Sequence, residues 1–349
     1  MGTLKIAGSI DLAQFWPTGK SDADTTKIIL TPHSFLYQAD GAAEFKETNA
    51  FQDARVKSGA GLEPVIHYKN TSQPRINIRL QGIDAPELHY KLYGKLPKGH
   101  LSPEEYARLK KVNAENEFRQ YFAETATVEL QKMLKANSNR GSRTDCLFVS
   151  GNIGKPGDGC DVYGRFVGDI IITGGAGQTI NINHWLLENG WVFPAFYNSL
   201  SEREITDLLA LYKKGQTAPE HTLQYYTSEI KTFDFQLQFR DPKQNPVYRP
   251  ADDKGKMILP KFFRRWSIYN LYHLAGINLG TFKEYLDSKE EDRFILRPDV
   301  KKYRQSQKGS IPLSQVLDGS QVMVKPEDMI FIEKPARLVD QNGDEIISF

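Results

Sequence analysis

Alternating apolar and polar residues in the first third of the chain predict a β-strand. Residues 75–83 read RINIRLQGI, in which every second residue from Ile76 to Leu80 is apolar. A period of two with branched apolar side chains is typical of a half-buried strand. We expect the strand to end at Asp84, because the proline two positions later donates no hydrogen bond and restricts the residue before it. A second strand is predicted over residues 24–31.

Apolar spacings of about four residues and capping signals predict helices after this strand. Ser102 is an N-cap followed by proline, and Glu105 completes a capping box. Apolar residues recur every four positions from Phe118 to Leu134, which keeps them near one face. The helical pattern from Ser102 to Leu134 is long for one globular helix and predicts a break near its middle, with an end in the Gly/Asn/Ser/Arg-rich stretch 136–143.

The middle of the chain predicts one more strand and two more helices. Residues 162–173 have the composition of a strand. A short helix is predicted over 181–189, with Gly190 in the place of a C-terminal glycine cap. Ser201 opens a second capping box, and the helix that follows is predicted to end at Gly215.

Two segments differ from this pattern and suggest the domain organisation. Residues 33–74 are polar with weak periodicity, which is typical of an insertion between strands. Residues 220–349 contain an aromatic and basic run at 261–266 and strand-like pieces at 322–324 and 329–332. We therefore predict one domain over 1–219 and a smaller C-terminal domain or appendage of mixed α/β content over 220–349. The basic run is either a nucleic-acid contact or an ordinary amphipathic surface.

The composition is typical of a globular protein and does not indicate which substrate the protein binds. Hydrophobic residues make up 40% and charged residues 25% of the 349 residues, and the length suits two domains. The formal net charge is +2, so there is no overall basic field to attract a nucleic acid. Local cationic groups would have to bind a phosphate substrate.

The two cysteines and the N-terminal residues suggest in which cellular compartment the protein is found. Cys146 and Cys160 either form a single disulfide or remain packed free thiols. The N-terminus has neither the basic region nor the apolar region of a signal peptide, and no apolar stretch is long enough for a membrane span. We expect a soluble protein without a membrane partner, cytoplasmic rather than secreted.

Clustered aspartates suggest a site for a hard divalent cation, which takes oxygen ligands. Asp22 and Asp24 point to one face if the segment is extended. If the strands at 24–31 and 75–83 pair, Asp24 and Asp84 can converge on one ion. Each motif alone is more often a turn or a cap, so the prediction depends on their joint occurrence.

Three motifs together resemble the staphylococcal nuclease (thermonuclease) family. They are the RLQGIDAPE run at 79–87, the upstream DADT and the downstream Tyr163-Gly-Arg. The segment from Asn181 to Gly190 is similar to that family's helix ending in glycine. The resemblance covers roughly residues 5–50 and 74–215.

The resemblance implies an α+β fold with a five-stranded OB-type β-barrel and helices, and calcium-dependent hydrolysis of DNA and RNA phosphodiesters. One Ca²⁺ ion would have as its ligands Asp24, Asp84 and the backbone carbonyl of Ala85, with Asp22 in the outer shell. The positions of the general base and of the two phosphate-binding arginines correspond to Glu87, Arg79 and Arg165.

The resemblance implies less about how bases are bound. Tyr163 matches the family's tyrosine near the substrate phosphate. Phe196 and Tyr197 are candidates for stacking on bases, because aromatic faces accept any base. Packing in the core is an equally weighted alternative for both.

The leading hypothesis is therefore a metal-dependent nuclease that acts on DNA, RNA or both. Endonuclease is the favoured class. The alternative is a non-catalytic OB-fold protein that binds nucleic acid or a protein. A third hypothesis is a structural or interaction protein in which residues 220–349 carry the main activity or bind a protein partner. The sequence leaves open the choice between DNA and RNA, endo- or exonucleolytic action, the pathway and the oligomeric state.

Overall fold

A computed structural model gives the fold of the chain. It describes residues 1–58, 61–68, 73–89, 101–115, 118–138, 140–175, 177–219, 221–233, 253–289, 292–332 and 336–349.

The described residues form β-strands and α-helices along the whole length of the chain. The strands are β1 (Gly2–Asp11), β2 (Thr25–Ala39), β3 (Lys46–Glu47), β4 (Arg55–Ser58), β5 (Gly61–Pro64), β6 (Ile66–Tyr68), β7 (Pro74–Leu80), β8 (Gly82–Asp84), β9 (Arg143–Ile153), β10 (Phe166–Thr173), β11 (Thr179–Asn181), β12 (Phe193–Tyr197), β13 (Arg293–Leu296), β14 (Ile311–Pro312), β15 (Leu317–Asp318), β16 (Gln321–Val322), β17 (Met329–Phe331) and β18 (Leu338–Val339). The helices are α1 (Pro103–Glu115), α2 (Ala123–Ala136), α3 (Ile182–Glu188), α4 (Glu202–Gly215), α5 (Pro260–Leu274), α6 (Phe282–Asp287) and α7 (Val300–Ser306).

Five strands pair in a closed circuit. β1 pairs antiparallel with β2 and with β9, and β2 pairs antiparallel with β7. β9 pairs antiparallel with β10, and β10 returns to β7 in parallel. Alternate residues of these strands face inward, so that Leu4, Ile78 and Phe166 are buried at one central core. The predicted pairing of the strands that contain residues 24–31 and 75–83 is confirmed.

The predicted strand at 75–83 divides into β7 and β8 at Gln81. Gly82 has a φ of +77°, a left-handed conformation that only glycine adopts readily. A Cβ atom there would lie 2.6 Å from a side-chain carbon of Leu208, so a larger residue would also clash. β8 leaves the first sheet and pairs with β12 instead, with Asp84 opposite Phe193. This break carries Asp84 away from the line of β7.

The predicted helices are present, with one shifted boundary. Ser102 and Glu105 form the capping box before α1, with hydrogen bonds of 3.2 Å and 2.8 Å. The break predicted between 102 and 136 is confirmed, but α2 begins only at Ala123. The prediction of helix for residues 118–122 is wrong. Phe122, the residue directly before α2, has a φ of +64°, which is a left-handed and non-helical conformation.

The region from 162 to 215 also follows the sequence closely. α3 has Asn181 as its N-cap, and α4 has the predicted capping box at Ser201. Gly190 has a φ of +70°, which fits a C-terminal glycine cap. The strand predicted from 162 begins only at Phe166, because the preceding residues form a turn on the Asp161 side chain.

The C-terminal region continues the sheet that begins with β8. The order of this five-stranded sheet is β14-β13-β17-β12-β8, and β17 pairs in parallel with β12. The strand-like piece predicted at 329–332 corresponds to β17, which is one residue shorter. The piece predicted at 322–324 overlaps β16 only at Val322, since β16 ends there. One buried apolar cluster contains residues from Leu4 to Leu338.

The predicted insertion also contacts the end of the chain. β2 continues to Ala39, past the expected start of the insertion at 33. Within the insertion, β4 pairs with β5 and with β18 from the C-terminal region. The ring of Phe349 stacks on Tyr37 with centroids 3.7 Å apart. The C-terminal end of the chain therefore packs against the insertion.

The two cysteines are free and buried, which agrees with the packed-thiol alternative. Burial raises the pKa of Cys146 and of Cys160. Within the part of the chain that the structure describes, no helix has both the length and the apolar character that crossing a membrane requires.

Candidate active site

Strand register brings the start of β2, the end of β7 and the start of β10 together. Thr25 is opposite Arg79 in the antiparallel β2–β7 pair. Arg79 is also opposite Val167 in the parallel β7–β10 pair. Asp24 and Arg165, which flank these strands, therefore lie at the same end of the closed circuit as Arg79.

Asp24 joins two segments that are distant in sequence. Its Oδ2 accepts a hydrogen bond of 3.1 Å from the backbone N–H of Ala85, and its Oδ1 accepts one of 2.9 Å from the Thr25 hydroxyl. The backbone carbonyl of Asp24 also accepts from the Leu80 N–H at 2.9 Å. Asp24 is half-buried, and Ala85 is buried. The DADT and DAPE motifs are thus in direct contact.

Asp22 lies beside Asp24 in the same tight turn. Its Oδ1 accepts a 2.9 Å hydrogen bond from the Thr25 backbone N–H, which is the local capping contact that its motif suggests. Burial, together with the nearby charges of Asp24 and Glu87, raises the pKa of Asp22 well above its usual range. Negative charge is therefore concentrated at this point of the molecule.

Arg165 is fixed by an acid that sequence analysis overlooked. Its Nε and Nη2 atoms each lie 2.7 Å from Asp161 Oδ2, and Asp161 Oδ1 accepts the backbone N–H groups of Tyr163 and Arg165. Nη1 of Arg165 donates to the Thr25 hydroxyl at 3.3 Å. That hydroxyl donates in turn to Asp24, so a continuous chain of hydrogen bonds joins the arginine to the carboxylate.

The aromatic candidates differ in their surroundings. Tyr163 is 71% exposed, and the guanidinium of Arg165 lies 5.6 Å from its ring centroid. Tyr197 accepts a 2.8 Å hydrogen bond from Nη2 of Arg79, whose guanidinium lies 5.3 Å from the ring centroid. Phe196 is completely buried in the core, on the strand that pairs with β17. In this conformation Phe196 packs and offers no face to a base.

Asp84 and Glu87 share one cationic partner, Arg264 from α5. Its Nη1 and Nη2 atoms donate to Oδ1 and Oδ2 of Asp84 at 3.2 Å and 2.9 Å, a bidentate pairing. Nη1 also donates to Oε1 of Glu87. The Asp84 side chain is only 4% exposed and that of Arg264 26%. Pairing is required here because an unpaired charge at so buried a position would be costly.

Glu87 is held by Gln120. The Glu87 N–H donates to Oε1 of Gln120 at 3.0 Å, and the Gln120 N–H donates to the Glu87 carbonyl at 2.7 Å. Nε2 of Gln120 donates to the Ile258 carbonyl at 2.8 Å, close to the start of α5. Burial raises the pKa of Glu87 to about 7, although Arg264 opposes this shift. Such a carboxylate can exchange a proton near neutral pH.

The basic run 261–266 has an unexpected role. Lys261 and Arg265 both bind Asp292, at 3.0 Å and, for Arg265 Nη2, at 2.8 Å. The ring of Trp266 packs edge-on against Phe282 at 4.5 Å. These residues fix α5 to the rest of the C-terminal region. In this structure the basic side chains of the run therefore pair with acids of the same chain.

Sequence analysis missed three residues that shape this site: Asp161, Gln120 and Arg264. Asp161 stands two residues before Tyr163 of the YGR motif, and its position could have suggested an Asx turn. Arg264 stands in a run that was noted for its charge, but only the folded chain places it beside Asp84. No sequence pattern marks Gln120 as a functional residue.

The predicted ligands for a divalent cation agree with the chemistry of this site. Asp24, Asp84 and the Ala85 carbonyl would give the all-oxygen donor set that a hard cation prefers. The guanidinium of Arg264 lies against both Asp84 oxygens. Among the described residues no group of three or more His, Cys, Asp or Glu side chains could hold a metal ion, so the site would depend on its carbonyl ligand.

Comparison with known proteins identifies the segment that contains most of this site. Residues 77–220 match the model of the family described as staphylococcal nuclease homologue. No curated protein matches the chain. The matched segment contains eight of the ten candidate residues, namely Arg79, Asp84, Ala85, Glu87, Tyr163, Arg165, Phe196 and Tyr197. Asp22 and Asp24 lie before it, and Arg264 lies beyond it. The resemblance that the sequence motifs indicate is therefore confirmed for residues 77–220, which are similar to the staphylococcal nuclease homologue family.

Proposed function

We propose that this protein is a divalent-cation-dependent nuclease that hydrolyses phosphodiester bonds in DNA or RNA, with calcium as the cation. One observation supports the proposal above all others. A chain of hydrogen bonds runs from Arg165 through Thr25 and Asp24 to the backbone of Ala85, beside the carboxylates of Asp84 and Glu87. This arrangement supports the proposal because it would bring the phosphate-binding groups close to the base.

The two arginines would bind the phosphate. A guanidinium is permanently charged and planar, and it can donate to two phosphate oxygens at once. Arg165 is held against Asp161 and Arg79 against Tyr197, so each has few orientations to lose when substrate binds. Both would also stabilise the extra negative charge that develops on the phosphate during attack.

Glu87 would act as the general base. It would accept a proton from a water molecule as the water attacks phosphorus, which contributes roughly 100- to 10,000-fold to such a rate. Its backbone is fixed by two hydrogen bonds with Gln120, and its pKa of about 7 suits proton transfer at neutral pH.

Asp24, Asp84 and the Ala85 carbonyl would hold one calcium ion, with Asp22 in the outer shell. When bound, such an ion polarises a phosphoryl oxygen and offsets developing charge. Tyr163 and Tyr197 lie on the two arginines, which suits contacts to the substrate next to the phosphate. Phe196 is assigned to the core.

The proposed fold is an OB-type five-stranded barrel. The closed circuit of β1, β2, β7, β10 and β9 supports it, because a barrel requires that the last strand pair with the first. We propose residues 1–219 as the nuclease domain with its insertion, and residues 220–349 as an accessory region that offers a surface to a protein partner.

Incubation of the purified full-length protein with DNA and with RNA tests the function. We expect cleavage with Ca²⁺, none with a chelator, and recovery when Ca²⁺ is restored in excess. A Glu87→Gln variant should cleave far more slowly under the same conditions. No cleavage of either polymer with any divalent cation would refute the proposal.

A non-catalytic nucleic-acid-binding domain is a second candidate. The observation that favours it is the ion pairing of Arg264 with Asp84 and Glu87, which occupies the cation ligand and the base together. A protein of this kind would bind labelled DNA or RNA without cutting it, and Arg165→Ala would weaken that binding.

A further inference from the structure

Arg264 is an active-site residue that the chain supplies from outside the family segment. It lies on α5, beyond residue 220 where the family match ends. Its guanidinium donates to both carboxylate oxygens of Asp84 and to one of Glu87. The same two acids are the proposed cation ligand and the proposed base.

The guanidinium fills the electrostatic role that a divalent cation would have. Asp84 is almost fully buried and has two negatively charged neighbours, Asp24 and Glu87, whose charges act on one another. A cation at this point therefore offsets negative charge that is largely shielded from solvent. Arg264 provides one positive charge in a fork that matches the carboxylate geometry.

A divalent cation and this guanidinium compete for Asp84. The ion needs at least one Asp84 oxygen, and Arg264 uses both. Two cations at adjacent positions would also repel each other strongly in a site with little water. Binding of the ion therefore requires the Arg264 side chain to leave Asp84.

The helix that carries Arg264 is fixed, whereas its side chain can move. Lys261 and Arg265 bind Asp292, and Gln120 links the Ile258 carbonyl to Glu87. The Arg264 side chain is 26% exposed, so it has a path towards solvent. Its departure needs only rotation about side-chain bonds.

We propose that Arg264 is an internal occupant of the cation site, so that its guanidinium and a divalent cation bind Asp84 in mutually exclusive states. The inference rests on the proposed function, because it concerns the same carboxylates. The C-terminal region would thereby set how much cation the nuclease needs. Free cation concentration, acting through one side chain, would control the number of active molecules.

Calorimetric titration of Ca²⁺ into the full-length protein without substrate tests this proposal. We expect Arg264→Gln to lower the Kd for Ca²⁺ by at least about tenfold, because the competing cation is lost. Arg264→Lys should give an intermediate Kd, since lysine keeps the charge but lacks the fork. Arg297→Gln is the matched control, since Arg297 forms an exposed ion pair with Asp328. An unchanged or higher Kd in Arg264→Gln would overturn the proposal.

A measurement on the natural sequence covers the case in which Arg264→Gln does not fold. Phenylglyoxal modifies accessible arginines, and mass spectrometry locates the modified residues. Saturating Ca²⁺ should increase modification of Arg264 several-fold and leave Arg297 unchanged. Equal protection of Arg264 with and without Ca²⁺ would contradict mutual exclusion.

The outcomes also separate this inference from the proposed function. If Arg264→Gln binds Ca²⁺ more tightly but neither protein cuts DNA or RNA, the inference holds and the nuclease proposal fails. If both proteins cleave with equal Ca²⁺ affinity, the nuclease proposal holds and the inference fails. If neither protein binds Ca²⁺, the inference is overturned.

Discussion

At the scale of single residues, the site depends on side chains that serve two partners at once. Thr25 donates to Asp24 and accepts from Arg165, and Gln120 binds Glu87 and Ile258. Each such residue fixes the relative position of two functional groups, because hydrogen bonds with charged groups are strong and directional. Small changes at these residues should therefore affect reactivity more than stability.

Replacement of Glu87 by glutamine should remove the base and keep its shape. We expect single-turnover cleavage to fall at least about 100-fold, since an amide does not accept the proton from water. The rate is measured in quench-flow with saturating Ca²⁺. Glu47→Gln, the same change at an exposed acid that pairs with His33, should leave the rate unchanged. Similar rates in both variants would exclude Glu87 as the base.

Replacement of Thr25 by valine should break the link between Arg165 and Asp24. Valine has a similar shape without the hydroxyl, so Arg165 Nη1 and Asp24 Oδ1 each lose one hydrogen bond. A hydrogen bond with a charged group contributes about 1.5–3 kcal/mol, so we expect kcat/KM to fall roughly 10- to 150-fold. Thr25→Ser keeps the hydroxyl and should retain most of the activity. Equal losses in the two variants would show that the methyl group, and not the link, is important.

The residues of the site were predictable from the sequence only where they belong to a local motif. Asp24, Asp84, Glu87 and Arg165 stand next to turn-forming residues at strand ends, and that local pattern marks them. Arg264 has no such mark, because its role depends on contacts between residues 180 positions apart. Long-range pairing of this kind is decided by the packing of α5.

At the scale of elements, the helix that carries Arg264 is fixed by an ion cluster. Lys261 and Arg265 of α5 both bind Asp292, whose side chain is 2% exposed, next to β13. Burial alone would raise the pKa of Asp292, but hydrogen bonds from Arg265 and Lys261 outweigh it, and the pKa is lowered. The cluster therefore stabilises the folded state when Asp292 is ionised.

Replacement of Asp292 by asparagine should destabilise the protein and change its response to acid. Removing the buried acid should lower the free energy of unfolding by about 3 kcal/mol at pH 7, the lower end for a buried pair, because its two cations are only partly buried. The folded-state pKa is below the unfolded value near 3.8, so this stabilisation is complete above that value and is lost as the pH falls through the folded pKa. Urea unfolding of both proteins measures it, and the difference between them should shrink below about pH 4. A difference that is constant from pH 7 to pH 3 would contradict the assignment.

Element boundaries show why sequence patterns reach only part of the fold. The capping boxes at Ser102 and Ser201 predict helix starts correctly, because their hydrogen bonds are local. The start of α2 was misplaced, because apolar spacing continues through Phe122 although its backbone is left-handed. Packing places those apolar side chains in the core whether or not they are helical.

At the scale of the whole molecule, the C-terminal region and the family segment share structure. β17 pairs with β12, and β12 pairs with β8, the strand that ends in Asp84. Arg119 and Asp253, both buried, also form an ion pair across the two regions at 2.9 Å. No sequence pattern predicted these connections, because a two-residue or three-residue strand has no detectable period. The shared sheet indicates that the two regions unfold together.

Tryptophan fluorescence can test this cooperativity, because the tryptophans are divided between the regions. Trp16, Trp185 and Trp191 lie before residue 220, and Trp266 lies on α5. In Trp266→Phe the remaining signal comes only from the first region, whereas circular dichroism follows the helices of both. We expect the two probes to give the same urea midpoint in that variant, since separate removal of α5 and β17 would break the shared sheet and expose the buried Arg119–Asp253 pair. Two midpoints, with the fluorescence change at the higher urea concentration, would instead show that the family segment remains folded when the C-terminal region has unfolded.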